Sequence, residues 1–259
     1  MKPDYKNWIP KGMIRSFGSA FLAMCAGLIT AVLLASGTVK TVLLIVLGAL
    51  ALISGGLTVW SVMMYRAFDY NGKRKMSSQI IEGTAVYVNL PQGGKCLDVG
   101  CGSGALSIAV AKKNPKASVI GVDRWGKEYA SFSKGLCERN ARAEGVTNAI
   151  FQQGDATHLV FPDEYFDAVT SNYVYHNIPG DRQAFLTETL RTLKKGGCFA
   201  IHDIMSASKY GNMQAFVKKL KDAGYEEVKL INTANGMFMK KSEACWMGLS
   251  GSALLIGKK

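Results

Sequence analysis

Two long runs without a charged residue dominate the N-terminal quarter of the chain and limit what this region can fold into. Twenty-four uncharged residues lie between Arg15 and Lys40, and 25 more lie between Lys40 and Arg66. A helix needs roughly 20 predominantly apolar residues to cross the hydrocarbon core of a bilayer. We therefore predict two transmembrane helices, over residues 17–35 and 41–65, joined by a short turn at SGTVKT.

Basic residues flank this predicted hairpin on its two outer sides. Before the first run and after the second stand Lys2, Lys6, Lys11, Arg15, Arg66, Lys73, Arg74 and Lys75, whereas the tip carries only Lys40. The positive-inside rule then predicts a multi-pass protein of the cell membrane with both termini in the cytoplasm. A cleaved signal peptide is the competing interpretation of the first run, and the longer second run argues against it.

The net charge of +12, from 31 basic and 19 acidic residues, indicates an anionic partner. Residues 1–75 hold nine basic and two acidic residues and so carry +7 of this charge, while the remaining 184 residues carry +5. Because the basic excess lies beside the apolar runs, it favours the inner face of a membrane over nucleic acid. We expect no nucleic-acid partner.

Small residues recur within both apolar runs, at Ala23, Gly27, Ala31, Ala35, Gly48, Ala51 and Gly55. Such a stripe allows two helices to approach each other closely. It fits packing within the hairpin, and it also fits the interface of a homodimer.

The six cysteines form no CxxC pair, and no histidine cluster has the spacing of a metal site. Most of the cysteines lie in apolar stretches, where cysteine behaves as a small hydrophobic residue. We read them as reduced thiols in the cytosol and expect no metal site.

After a polar segment, short β-like runs alternate with helical ones. Alternating strands and helices predict an α/β fold with a doubly wound, parallel sheet and right-handed crossovers. The predicted strands cover 95–101, 118–123, 149–155, 166–174, 197–204, 225–232 and 252–257. The predicted helices cover 104–113, 127–144, 181–194 and 212–223. The resulting domains are a membrane anchor over 1–66, a linker over 67–77 and a soluble domain over 78–259.

The first strand runs into DVGCGSG, in which Gly100, Gly102 and Gly104 open the following helix. Glycines at this position let the backbone turn sharply and approach a ligand. Dinucleotide sites share this glycine pattern, but Asp98 stands two residues before the first glycine, inside the predicted site. A carboxylate there suits a cofactor with a cationic amino-acid moiety.

Acidic residues also end the next two predicted strands. Asp123 follows VIGV and is placed to accept hydrogen bonds from ribose hydroxyls, as strand-end acids do in this architecture. Asp155 follows QQG and is placed to accept from an adenine amine. Each acid alone fits a loop or helix cap equally well, whereas three at successive strand ends indicate one nucleoside-binding edge.

The motifs DVGCGSG, VIGVD, QQGDA, FDAVTSNYVYHNI and LKKGGCFAIHD together resemble those of class I S-adenosylmethionine-dependent methyltransferases over about residues 78–259. The resemblance implies a Rossmann-like, seven-stranded, mostly parallel sheet that ends in an antiparallel hairpin, with S-adenosylmethionine as the cofactor. It places Asp98 and the glycine loop at the methionine part, Asp123 at the ribose and Asp155 at the adenine. The full predicted cofactor site is Asp98, Gly100, Cys101, Gly102, Gly104, Asp123, Arg124, Gly154, Asp155, Ala156 and Asn172.

The acceptor side is less constrained by sequence. The NPPY-type motif of many amino-group methyltransferases is absent, and Ser171–Val174 instead resembles small-molecule and lipid-precursor methyltransferases, including the quinone-biosynthesis type. His176 is the candidate catalytic residue, as a general base; the alternative is that it caps the next turn or lines the pocket. His202 and Asp203, at the end of a strand, are further pocket candidates, and the sequence shows no obvious catalytic dyad.

A segment before the first strand, MSSQIIEGTAVYVNL, has an amphipathic pattern with Ile80, Ile81, Thr84, Tyr87 and Val88 near helical spacing. In related enzymes such a helix covers the active site, which here would lie beside the membrane. A helix that simply packs on the sheet explains the pattern equally well.

These observations favour a membrane-anchored enzyme that methylates a small or lipid-like acceptor at the cytoplasmic face. Two alternatives stay open: a membrane-anchored protein methyltransferase whose hairpin recruits its partner, and a non-catalytic S-adenosylmethionine-binding module. The complete cofactor motif set disfavours the last.

Overall fold

The computed structural model describes residues 2–126 and 131–259 and divides the chain into two compact units. One unit comprises residues 7–77. The other comprises residues 78–259 together with the short segment that precedes Asn7. The sequence did not indicate that this first segment belongs with the soluble domain.

The first unit is a helical hairpin of α1 (Lys11–Leu34) and α2 (Gly37–Ala67). Both helices are long and apolar enough to cross a membrane by length and composition, and only 6% of the most apolar window of each is buried. The helices extend beyond the predicted spans because nothing breaks them before Pro10 on one side and Phe68 on the other. Lys40, expected in the turn, lies inside α2 and donates to the Val32 carbonyl at 2.8 Å.

The small residues of the hairpin contribute to packing between α1 and α2. A Cβ on Gly27 would lie 3.2 Å from Leu47 Cδ1, and one on Gly55 would lie 3.1 Å from the Phe21 ring. Gly48 has open space around it. These contacts support packing within the hairpin, while the homodimer interface stays a prediction.

The second unit is built on a seven-stranded sheet of order β3-β2-β1-β4-β5-β7-β6. All neighbouring pairs from β3 to β5 are parallel, and β7 runs antiparallel to both β5 and β6. The predicted fold class is thereby confirmed. The strands are β1 (Lys95–Val99), β2 (Ser118–Asp123), β3 (Ala149–Gln153), β4 (Phe166–Asn172), β5 (Leu193–Ile204), β6 (Glu226–Asn232) and β7 (Ser252–Lys258).

The predicted strand positions are recovered, with differences at the ends. β1 stops at Val99 because the next residue, Gly100, adopts a positive φ of 73° and turns the chain away. β5 begins at Leu193, earlier than expected, because it pairs with Phe166 across an irregularity in register. The sheet interior is apolar on both faces, as parallel strands covered by helices require; Leu97, Val99 and Ile201 are fully buried there.

The helices of this unit flank the sheet. They are α3 (Met76–Ala85), α4 (Ala105–Lys113), α5 (Lys134–Ala143), α6 (Arg182–Arg191), α7 (Ala207–Tyr210), α8 (Met213–Asp222) and α9 (Lys241–Trp246). The helix expected over 127–144 begins only at Lys134, where the Ser133 hydroxyl caps it by accepting from the Leu136 amide at 3.2 Å. Residues 127–130 lie outside the described part of the chain.

The first ten residues of the amphipathic segment before β1 form α3, and most of the segment's apolar side chains are buried, although Val86 is exposed. Ile80, Thr84 and Val88 are each 0% exposed. A Cβ on Gly83 would lie 2.3 Å from Phe238 Cε1, so α3 packs closely on the loop between β6 and β7. This burial supports the packing interpretation of the segment.

Candidate cofactor and acceptor site

The sheet order places the candidate site at the carboxyl ends of the parallel strands. The chain passes from β1 to β2 and β3 on one side and then returns to β4 and β5 on the other. Ligands of such sheets bind at this point of reversal, in the crevice outside the strand ends. The predicted cofactor residues lie at the ends of β1, β2 and β3 or directly after them, apart from Asn172, which ends β4. The acceptor candidates lie after β4 and near the end of β5.

The glycine loop between β1 and α4 is held in a tight turn against its neighbours. The amides of Gly100 and Cys101 both donate to the Val122 carbonyl, at 2.8 and 3.0 Å. A Cβ on Gly100 would lie 2.2 Å from Val174 Cγ2, so only glycine lets the loop approach the segment after β4 this closely. The cofactor loop and the acceptor segment are therefore in direct contact.

Asp123, at the end of β2, stabilises the same loop through hydrogen bonds. Its carboxylate accepts from the Gly102 amide at 2.9 Å and from the Trp125 amide at 2.7 Å. The Trp125 indole in turn donates to the Gly102 carbonyl at 3.0 Å, with its backbone in the left-handed region at φ 45°. Sequence reasoning missed Trp125, although an aromatic residue two positions after a strand-end acid was the available signal.

Asp98 lies at the base of the loop and is 1% exposed. Its two carboxylate oxygens accept from the Ser107 hydroxyl at 2.6 Å and the Thr170 hydroxyl at 3.0 Å, which links β1 to α4 and β4. Burial raises the pKa of Asp98 to about 7, although these hydroxyl groups oppose the shift. Its predicted role at the methionine moiety stays a prediction.

The third strand end is more open. The Gly154 amide donates to the Asp123 carbonyl at 3.1 Å, which places the GDA turn beside β2. Asp155 is exposed, and hydrogen bonds from the Thr157 hydroxyl and amide, at 2.7 and 2.8 Å, lower the pKa of its carboxyl. Arg124, which follows Asp123, is exposed, and Ala156, which follows Asp155, is half-buried.

On the acceptor side, Asn172 is held by a buried histidine. Asn172 Oδ1 lies 2.8 Å from His202 Nδ1, and His202 Nε2 lies 2.8 Å from the Thr233 hydroxyl. His202 is 0% exposed, and burial lowers its pKa to about 3. It is therefore a neutral hydrogen-bonding group at physiological pH.

His176 and Asp203 form a pair that the sequence did not reveal. His176 Nδ1 lies 2.5 Å from Asp203 Oδ1, and the His176 amide donates to Asp203 Oδ2 at 3.2 Å. The Tyr210 hydroxyl donates to Asp203 Oδ2 at 2.7 Å. Burial acts to raise the pKa of Asp203, but the hydrogen bonds from His176 and Tyr210 outweigh it and hold that pKa below its usual value.

A cluster of aromatic rings lies beside His176. The Tyr173 ring lies 5.8 Å from the His176 ring and 4.7 Å from the His202 ring, which in turn lies 5.4 Å from Phe238. Tyr173 adopts a left-handed backbone with φ 54°, an unusual conformation for a bulky residue. Such strain often accompanies a functional site.

A separate cavity of about 530 Å³ lies at the opposite, amino-terminal edge of the sheet. Asp167, Lys195, Cys198 and Lys258 line it, and no predicted cofactor residue does. The chemistry-bearing side chains are at the carboxyl edge, which we therefore take as the candidate site.

Comparison with known proteins assigns the class of the domain. A family model described as a methyltransferase domain matches residues 90–250. The chain belongs to this methyltransferase family, which confirms the class predicted from the motifs, with S-adenosylmethionine as the cofactor.

Individual relatives match parts of the same region. Demethylmenaquinone methyltransferase of Geobacillus stearothermophilus is 32% identical over 133 residues, covering 50% of this chain and 53% of the relative. The 2-phytyl-1,4-naphtoquinone methyltransferase of Synechococcus elongatus is 38% identical over 117 residues, covering 43% of this chain and 46% of the relative. The chain thus spans about half the length of the curated relatives that it matches.

Solved structures support the fold alone. Geranyl diphosphate methyltransferase aligns with a TM-score of 0.55 at 13% identity, over 75% of this chain and 81% of that one. The [4+2]-cyclase SpnF aligns with a TM-score of 0.54 at 19% identity, over 74% of this chain and 85% of that one. Since one of these is named a cyclase, the shared fold does not decide the reaction.

The residues present fit S-adenosylmethionine. The loop from Gly100 to Gly104 follows the strand as a tight turn, and Asp98 and Asp123 bring two carboxyl groups to it. Asp123 suits the ribose hydroxyls of either a nucleoside or a dinucleotide. A carboxyl group at the position of Asp98 suits an ammonium group, whereas it would repel the pyrophosphate of a dinucleotide.

The raised pKa of Asp98 predicts a trade-off between stability and binding. Because its pKa is about 7 in the folded chain and 3.8 is its ordinary value, stability should fall as pH rises from about 4 to about 7. Asp98→Asn removes this loss and should also weaken S-adenosylhomocysteine binding. Thermal and urea unfolding of the ligand-free chain in detergent measure the free energy of unfolding of the variant and of wild type. The difference in favour of the variant should be about 2–3 kcal/mol larger at pH 8 than at pH 5.

The exposed Asp222 on α8 provides the control, since Asp222→Asn should change stability equally at both pH values. An Asp98→Asn effect that is the same at pH 5 and pH 8 would contradict the buried, proton-binding carboxyl.

Proposed function

We propose that this protein transfers a methyl group from S-adenosylmethionine to a small, lipid-like acceptor at the cytoplasmic face of a membrane, to which α1 and α2 anchor it. The observation that carries the proposal is the contact between the cofactor loop and the segment holding the His176–Asp203 pair. A methyl donor and a proton acceptor are thereby brought to one edge of the sheet.

The names of the relatives support an apolar, quinone-type acceptor. Two of them are named for demethylmenaquinone and for 2-phytyl-1,4-naphtoquinone. The half-buried rings of Tyr173 and His176 offer flat, largely apolar surfaces against which an aromatic acceptor can pack, and the buried rings of His202 and Phe238 lie behind Tyr173. A planar acceptor with an apolar tail suits both this region and a membrane-bound enzyme.

When bound, S-adenosylmethionine supplies an activated methyl group on a sulfonium centre. Asp123, the glycine loop and Asp98 hold and orient it, and alignment with the acceptor in a dry site supplies much of the rate. An acceptor that carries a ring hydroxyl or a ring hydrogen must also lose a proton. His176 takes this proton at Nε2, because Asp203 holds Nδ1 as the protonated nitrogen.

Asp203 is suited to this supporting role. It is 0% exposed and accepts from His176 and from the Tyr210 hydroxyl, while its own pKa is held low. A buried carboxylate so arranged fixes the imidazole tautomer and stabilises the imidazolium that forms when His176 takes a proton. His176 keeps 13% side-chain exposure, which leaves a route for the proton to solvent.

Anchoring by α1 and α2 is supported by their exposed apolar surface. Of the 21 large hydrophobic residues that are exposed in the described part of the chain, 17 lie on these two helices. The core helices of a water-soluble protein would bury such side chains, so a bilayer is the environment that suits them. An acceptor dissolved in the same bilayer meets the enzyme at a raised effective concentration.

Radiolabelled S-adenosylmethionine tests the acceptor class. Full-length protein in detergent, incubated with a total lipid extract and with total membrane protein, should transfer label to the organic-extractable lipid fraction. Label confined to protein would contradict the proposal in favour of a protein methyltransferase. An absence of label in both fractions, with the cofactor bound, would contradict it in favour of a non-catalytic module.

Substitution of the pair tests the proton acceptor. His176→Gln should lower kcat by about 100-fold or more and abolish the rise of the rate with pH, because the proton acceptor is lost. Asp203→Asn should also lower kcat, and Tyr210→Phe, which removes one hydrogen bond to Asp203, should have a smaller effect. The pH–rate profile of each variant on the labelled lipid acceptor is the measurement.

S-adenosylhomocysteine affinity serves as the internal control for these variants and should stay within about twofold of wild type, since none of the three side chains is assigned to the cofactor. A His176→Gln enzyme with wild-type kcat and an unchanged pH profile would refute the role of His176.

A further inference from the structure

The segment that precedes the apolar helices belongs to the catalytic unit, and it docks where the cofactor loop is supported. We propose that residues 2–6, here called the strap, hold the glycine loop in its binding conformation through Asn140, which is a positioning residue. The inference rests on the assignment of S-adenosylmethionine to this loop, and it adds a part of the chain that lies 94 or more residues before the loop in sequence.

The Asn140 side chain forms hydrogen bonds with the backbone of the strap. Asn140 Oδ1 accepts from the Asp4 amide at 2.8 Å, and Asn140 Nδ2 donates to the Asp4 carbonyl at 3.0 Å. This pair of bonds imitates the pairing of two strands and requires an amide side chain, because one atom must accept while the other donates.

The same side chain reaches the cofactor loop. Asn140 Nδ2 also donates to the Ser103 carbonyl at 3.0 Å, and Ser103 stands between Gly102 and Gly104. Both hydrogens and the oxygen of the Asn140 amide are therefore engaged, in a position that is 2% exposed. Loss of the strap would leave the buried oxygen and one hydrogen without their partners and free the amide to turn away from Ser103.

A second contact fixes the strap on the same helix. Tyr5 is 4% exposed, and its hydroxyl donates to Glu144 Oε1 at 3.3 Å. The other oxygen of Glu144 accepts from Lys112 on α4 at 2.7 Å. The strap is thus tied to α5 and, through Glu144, to α4, the helix that the glycine loop opens.

The loop is therefore supported from two sides. Asp123 holds Gly102 from β2, and the strap holds Ser103 from α5 through Asn140. Because backbone atoms of a glycine-rich loop lose more conformational freedom than others on ordering, each support lowers the entropy that cofactor binding must overcome. The strap raises cofactor affinity without touching the cofactor.

A matched pair of substitutions at Asp4 tests this role in the full-length protein. Asp4→Pro removes the amide hydrogen that Asn140 Oδ1 accepts. Asp4→Ala keeps this amide and removes a side chain whose hydrogen bonds go to the ammonium and the backbone amide of the exposed Lys6. Isothermal titration with S-adenosylhomocysteine should show an increase in Kd of about 3- to 30-fold for Asp4→Pro, the scale of one or two lost hydrogen bonds. Asp4→Ala should stay within about twofold of wild type.

Asn140→Ala should match Asp4→Pro in affinity, and hydrogen exchange should quicken at residues 100–104 in both variants. Ligand-free Asp4→Pro and Asn140→Ala should each lose some thermal stability but stay fully folded at the titration temperature, as circular dichroism will check, so that the weaker binding reports positioning and not unfolding. Wild-type affinity in Asp4→Pro, or an equal loss in Asp4→Ala, would overturn the strap. Failure of wild-type protein to bind S-adenosylhomocysteine would instead overturn the cofactor assignment.

Discussion

The hydrogen bond from the Gly102 amide to the Asp123 carboxylate is the interaction on which the candidate site depends. It joins the turn after β1 to the end of β2 and leaves the glycine loop open toward the ligand. A carboxylate that accepts hydrogen bonds from backbone amides is ordered before the ligand arrives. Its remaining lone pairs are then already oriented to accept hydrogen bonds from the ligand. The Trp125 amide also donates to the Asp123 carboxylate, and the Gly154 amide donates to the Asp123 backbone carbonyl.

The acceptor side follows from the contact between this loop and the chain after β4. Gly100 allows the approach of Val174, and the residues directly following are Tyr175 and His176. Because β5 lies beside β4, its terminal Asp203 reaches the histidine and orients it. The predicted cofactor half and the proposed proton-accepting half of the site are thus consequences of one sheet order, with the reversal between β1 and β4 at its centre.

Local patterns predicted most of the fold. Short apolar runs bounded by glycine or acidic residues located every strand, and the three strand-end acids indicated the cofactor edge. The ends of elements were less predictable: β5 starts early because of its pairing with Phe166, which is a tertiary contact. The turn of the hairpin comprises only Ala35 and Ser36, and is shorter than predicted, because α2 already begins at Gly37 and includes Lys40.

Features that join distant parts of the chain were not predictable from one sequence. His176 and Asp203 are 27 positions apart, and Asp4 and Asn140 are 136 apart. The residues around each member of a pair do not indicate the other member. The first pairing follows from the order of the strands, and the second follows from the path of the N-terminal segment. The burial of α3 was left open by the sequence for the same reason, because an amphipathic pattern does not say what covers its apolar side.

The central claim is that the carboxyl edge of the sheet binds S-adenosylmethionine through strand-end carboxylates. Calorimetric titration of the full-length protein in detergent tests it most directly, with S-adenosylhomocysteine and NAD as the two ligands and Asp123→Ala as the variant. We expect micromolar or tighter binding of S-adenosylhomocysteine and negligible binding of NAD. Asp123→Ala should lose about 1.5–3 kcal/mol of binding free energy, the scale of hydrogen bonds to a charged group. Binding of NAD in preference to S-adenosylhomocysteine, or an Asp123→Ala variant with unchanged affinity, would contradict it.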